Sequence, residues 1–217
     1  MSIPKPEKIS FFTHIIGLIG FIFATILIAQ KTNGFAGVQY AACVYGGSAI
    51  FLFTASSLYH LLKKRENEVS IWRKMDHCAI FFMIAGTYTP ICYIYLTGTL
   101  KWGIIITQWS LVILGLFFKI FFINAPRKLY TVIYIIMGWI ILIPIREMVT
   151  GMPTLTFIYL LSGGIVYTTG AIIYAIKKPI IIPRFFGFHE IFHIFTLCAA
   201  TLHFLMVYTA INEFLGI

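Results

Sequence analysis

The chain alternates long apolar runs with short polar breaks, and each run is about as long as the hydrocarbon core of a bilayer requires. An α-helix rises 1.5 Å per residue, so about 20 apolar residues cross ~30 Å of hydrocarbon. Seven such runs fall near residues 9–29, 38–62, 72–96, 102–122, 128–148, 154–176 and 185–212. They are apolar on every side, whereas a spanning β-barrel alternates between a lipid face and a polar lumen face. The pattern predicts an all-α integral membrane protein. Residues 1–217 form a single seven-transmembrane helix bundle, without a second domain, an internal repeat or a Pro-rich linker.

Composition agrees: 60% of the 217 residues are hydrophobic, 11% are charged and the mean hydropathy is +0.93, which excludes a soluble domain. The opening MSIPKPEKISFF is polar and carries no small-residue cleavage signature, so the first helix is expected to remain as a span.

A net charge of +9 raises the question of nucleic acid, but the distribution of that charge answers it. Thirteen of the sixteen basic residues fall on alternate segments: Lys5 and Lys8; Lys63, Lys64, Arg65, Arg73 and Lys74; Lys119, Arg127 and Lys128; Lys177, Lys178 and Arg184. The opposite set holds only Lys31, Lys101 and Arg146. The positive-inside rule puts the N-terminus in the cytoplasm and the C-terminus outside, as an odd number of spans requires. The charge reports topology, and no nucleic-acid partner is expected. Cys43, Cys78, Cys92 and Cys198 all lie in expected spans without CxxC spacing, so they read as free thiols.

Polar residues inside the spans gather at one depth. His189 and His193, in GFHEIFH, are four residues apart, so both imidazoles leave one helix face and can grip one ion. His60 ends the second helix with Ser56 one turn deeper, and Asp76 opens the third. A lone buried histidine is more often a packing residue, but three helices delivering His, Asp and two His to one leaflet favour a metal site. Zinc (Zn2+) suits three neutral imidazoles and one open position, where a water would have its pKa lowered towards ~7. Asp76 could accept a proton from that water. For Ser56 three roles stay open, namely binding the water, a ligand imidazole or a substrate carbonyl, and helix packing is the commoner use of such a serine.

The remaining histidines fit less directly. His77 points about 100° away from Asp76, and His203 lies about 15 Å beyond His193, too far to share its ion. His14, near the start of the first helix, is expected to pack or to line the same vestibule. HEIFH also satisfies the HExxH pattern, with Glu190 as general base of an intramembrane metalloprotease, but that reading leaves His60 unexplained.

SSLYH, KMDH, GTYTP at residues 86–90, and GFHEIFH followed by His203 and Phe204 together resemble the bacterial hemolysin III family. That family is similar to the progestin and adipoQ receptors and, more distantly, to alkaline ceramidases. The resemblance spans essentially the whole chain. It implies a multi-pass protein of the bacterial plasma (inner) membrane, with zinc on His60, His189 and His193, Asp76 on the zinc's water and Ser56 nearby. It implies three activities of different class: hydrolysis of a lipid amide or ester, cytolysis by pore formation, or receptor-like regulation of membrane state around a structural zinc. The long soluble N-terminal region of the receptor relatives is absent and the outer loops are short. The expected partners are therefore membrane lipids, a lipid-like substrate or another membrane protein, rather than a large extracellular hormone.

Overall fold

The computed structural model describes residues 7–63, 68, 70–122, 126–183 and 185–217; Lys5, Lys64, Arg65 and Arg184 of the charge pattern lie outside them. The helices are α1 (Lys8–Lys31), α2 (Ala36–Leu62), α3 (Ile71–Tyr95), α4 (Gly98–Phe121), α5 (Arg127–Trp139), α6 (Ile145–Gly151), α7 (Thr154–Ile176) and α8 (Phe188–Leu215). Six are long and apolar enough to cross a membrane, and the count is seven when the bent pair of α5 and α6 is taken as one span. The protein is a multi-pass helical membrane bundle.

Two stretches differ from the expected spans. The fifth, 128–148, is not one helix: α5 ends at Trp139, a 3-10 turn covers Ile140–Leu142, and α6 departs at 55°. Pro144 explains the break, because its nitrogen has no hydrogen to bond back along a helix and its ring obstructs the preceding turn. Backbone groups freed in hydrocarbon need partners. Tyr88 of α3 supplies them, since its hydroxyl donates to Gly138 O at 2.8 Å and accepts from Ile141 N at 2.7 Å. The last span starts at Phe188 rather than 185, because Ile180–Ile182 (β1) and Phe186–Gly187 (β2) form an antiparallel hairpin before it.

The bundle carries large apolar side chains on its outer surface as well as in its core. On α4, Ile113 is 68% and Phe117 59% exposed, facing where lipid would lie, while Gln108 and Lys119 are buried. Polar groups turn inward because lipid offers them no partner. Small residues set the closest crossings. At Gly86 a Cβ would come within 2.5 Å of the Ser48 Cβ on α2, so glycine permits the approach of α3. α8 packs against α7 on one side and α1 on the other, closing the ring that α1, α2 and α3 open.

Alternation of direction brings the starts of α1, α3, α5 and α8 and the ends of α2, α4 and α7 to one end of the bundle. Lys8, Lys63, Arg73, Lys119, Arg127 and Lys177 lie there, whereas Lys31, Lys101 and Arg146 lie at the other end. We refer to the first as the basic end. All four cysteines are free thiols.

Candidate metal centre

At the basic end three imidazoles meet. The last turn of α2 presents His60, and the first two turns of α8 present His189 and His193 from one face. His60 Nε2 lies 3.1 Å from His193 Nε2, which lies 3.2 Å from His189 Nε2. Three nitrogens each about 2.0–2.1 Å from one tetrahedral ion stand roughly 3.3–3.4 Å from one another, so the spacing fits a single small cation. The ligand atoms all lie within 4.8 Å of one another, and His60 is wholly buried.

The donor inventory supports the same conclusion. His60 Nδ1 donates to Glu7 Oε2 at 2.6 Å, and Lys63 Nζ donates to Glu7 Oε1 at 2.5 Å. Burial alone would raise the Glu7 carboxyl, but the His60 and Lys63 bonds outweigh it and hold the pKa at about 2. An ionised carboxylate only accepts, so His60 carries its proton on Nδ1 and turns a bare lone pair at Nε2 towards His193. His193 Nδ1 in turn lies 2.6 Å from His14 Nε2. A hydrogen bond donated by His193 Nδ1 to His14 would leave His193 Nε2 a bare lone pair as well. Two lone pairs at 3.1 Å repel unless a cation lies between them.

Glu7 and His14 therefore act on the cluster from outside it, fixing tautomer and ring orientation as outer partners of metal-binding histidines do. Glu7 was not singled out in the sequence, although an acid at the membrane edge, beside basic residues, is a signal of a kind. His14 stands beyond packing: it lines the cavity described next and is in hydrogen-bond contact with His193.

A cavity of about 470 Å³ opens beside the cluster, lined by His189, His193, Asp76, Ser56, His77 and His14 among others. Asp76 and Ser56 are thus brought to the same space as the histidines, though Asp76 is not among the grouped ligands. The Ser56 hydroxyl is buried and makes no full hydrogen bond among the described residues, yet it stands close enough to act electrostatically on the Asp76 carboxylate. His77 joins the cavity wall while its carbonyl accepts from Tyr134 Oη at 3.1 Å. His203 lies deeper, its Nε2 3.3 Å from Leu160 O, and takes no part in the cluster. Glu190 Oε2 accepts from Gly187 N at 2.8 Å, a bond to the start of its own helix. A carboxylate engaged in capping α8 is poorly placed as a general base, which weighs against the HExxH reading.

These features define a class, that of membrane-embedded helical bundles with a buried three-histidine cluster facing an internal cavity. The chain belongs to the haemolysin-III related family, whose profile matches residues 3–204. It is 38% identical over 205 residues to Hemolysin-3 of Bacillus cereus, covering 94% of this chain and 90% of that one. It is 33% identical to the Hemolysin-3 homolog of Bacillus subtilis (strain 168), covering 94% and 93%. At 25% identity it is similar to an adiponectin receptor protein of Drosophila melanogaster, with 91% of this chain and 49% of that one covered.

Proposed function

We propose that the protein is a zinc-dependent hydrolase of a lipid amide or ester, set in the bacterial plasma membrane with its basic end towards the cytoplasm. The observation that carries this reading is the convergence of three imidazoles, with His193 Nε2 3.1 Å from His60 Nε2 and 3.2 Å from His189 Nε2, beside a cavity that also receives a carboxylate. His60, His189 and His193 hold the ion. When bound, zinc supplies Lewis acidity, lowering the pKa of water towards ~7 and polarising a carbonyl.

The chain's own residues do the rest. Asp76 accepts the proton released when water adds to the substrate carbonyl, and then returns it to the leaving group. The Ser56 hydroxyl, with no full hydrogen bond of its own, donates to the substrate carbonyl oxygen. His14 and Glu7 keep the Nδ1 protons of His193 and His60 engaged, so that both Nε2 atoms stay available. The bacterial relatives and the charge asymmetry support the location.

The test is metal content by elemental mass spectrometry on detergent-purified protein, wild type beside His60→Ala, His193→Ala and His203→Ala. About one zinc per chain is expected in wild type and His203→Ala, and none in the other two. Wild type, but not Asp76→Asn, should then hydrolyse ceramide-like amides. A well-folded wild type without metal ends the hydrolase reading. A second reading, cytolysis, comes from the name of the Bacillus cereus relative. Vesicle leakage that is equal in wild type and His60→Ala would favour it.

A further inference from the structure

The cavity has a cationic end that metal binding does not account for, built from residues that also belong to the topological charge pattern but line the cavity wall. Arg73, Lys119, Arg127 and Lys177 all line it, against one lining carboxylate among the described residues, Asp76. They come from four different elements: the start of α3, the end of α4, the start of α5 and the residue that ends α7. Lys8, Lys128 and Lys178 are exposed and serve as ordinary topological signals at the same end. Lys119 differs, being 1% exposed. It makes neither a hydrogen bond nor an ion pair among the described residues, and its Nζ lies over the Tyr130 ring, 2.9 Å from the centroid. Burial penalises the charged form of an amine that has no ion pair, so an anion beside Lys119 would stabilise that form.

Away from the cationic end and the histidines, part of the cavity wall is apolar. Ile80, Met83, Ile84, Ile135 and Trp139 continue the wall, which reaches Thr87 and His203. From Arg73 to Thr87 is fourteen helical residues, roughly 21 Å at 1.5 Å per residue, which is more than half of the ~30 Å hydrocarbon core. Ser56 and His193 lie six and five residues inside the basic-end termini of α2 and α8, between the cationic rim and the apolar depth.

We propose that this cavity binds a single-chain lipid with a phosphate-monoester head, the phosphate held by Lys119, Arg73, Arg127 and Lys177 and the acyl chain lying along the apolar wall. Four lining cations against one lining carboxylate among the described residues suit a phosphate monoester of about −1.5 to −2 better than a carboxylate of −1. Each guanidinium carries five N–H donors, of which Arg73 Nη1 donates to Glu68 O at 3.4 Å and Arg127 Nη1 to Tyr174 O at 3.3 Å. This rests on the hydrolase reading in one respect: such a pose sets the bond that links head to chain beside Ser56 and Asp76.

The test is binding to the full-length protein in neutral maltoside, followed by the shift of the thermal unfolding midpoint against ligand concentration. The probes are dodecyl phosphate, dodecanoate and inorganic phosphate. Dodecyl phosphate should bind at least tenfold more tightly than dodecanoate, and inorganic phosphate should give no shift at the same concentrations. Lys119→Gln and Arg127→Gln should each weaken dodecyl phosphate roughly tenfold or more, the effect of removing a charged hydrogen-bond donor. Lys177→Gln, at an exposed position that folding tolerates, should weaken it several-fold. His193→Ala should keep the binding while losing metal, so a failed zinc site and a failed lipid site give different results. Equal binding of dodecanoate, an equal shift from inorganic phosphate, or affinity unchanged in all three cation variants would overturn the proposal.

Discussion

His193 Nδ1 and His14 Nε2 lie 2.6 Å apart, so the first and last helices of the bundle meet through two imidazoles, only one of which faces the metal cluster. His14 thereby sets which nitrogen of His193 is free. His14→Ala should weaken zinc affinity about 10- to 100-fold, the usual effect of losing an outer partner, while His193→Ala abolishes binding. Competition against a chromogenic chelator measures both. Indistinguishable affinities in wild type and His14→Ala would show that the contact does not orient the ligand.

Glu7 bridges His60 and Lys63 from the segment that precedes α1. Glu7→Ala removes the acceptor and should also cost about 10- to 100-fold in zinc affinity. Glu7→Gln keeps an oxygen for the His60 proton and should fall between wild type and alanine. If glutamine and alanine behave alike, the negative charge rather than the hydrogen bond sustains His60.

On the proposed reading an ion held by α2 and α8 would tie together elements far apart in the chain, so its removal should lower stability. With free zinc at a hundredfold above the dissociation constant, binding adds about 2.7 kcal/mol. Chelation should therefore depress the unfolding midpoint of wild type and leave that of His60→Ala where it was. A midpoint insensitive to chelator in zinc-loaded wild type would remove the ion from the stability of the fold.

The crossing of α2 and α3 at Gly86 leaves no room for a methyl group beside Ser48. Gly86→Ala should destabilise by roughly 1–3 kcal/mol through overpacking. Gly103→Ala, where a Cβ would meet nothing within 4 Å, should be neutral or slightly stabilising. Thermal unfolding of the pair separates crowding from helix propensity.

Much of this was legible along the chain. Long apolar runs and the four-residue spacing of His189 and His193 are local patterns, and both survive intact in α8 and its neighbours. The break after Trp139 was written in Pro144, but its bonds to Tyr88 depend on a helix fifty residues away. The pairing of Glu7 with His60 and of His14 with His193 depends on how α1 seats against α2 and α8, which no spacing within α1 encodes. The inward turn of Lys119 is of the same kind: in sequence it is one more positive charge at a helix end, and only packing against Tyr130 distinguishes it.

The ring closure between α1 and α8 also bears on biosynthesis. One candidate ligand comes from residue 60 and the other two from residues 189 and 193, while their outer partners are residues 7 and 14. No partly made chain can assemble the cluster until the final helix has entered the membrane and docked against the first. Metal loading would thus mark the end of insertion, and truncated or mis-threaded chains would be recognisable by their inability to retain the ion.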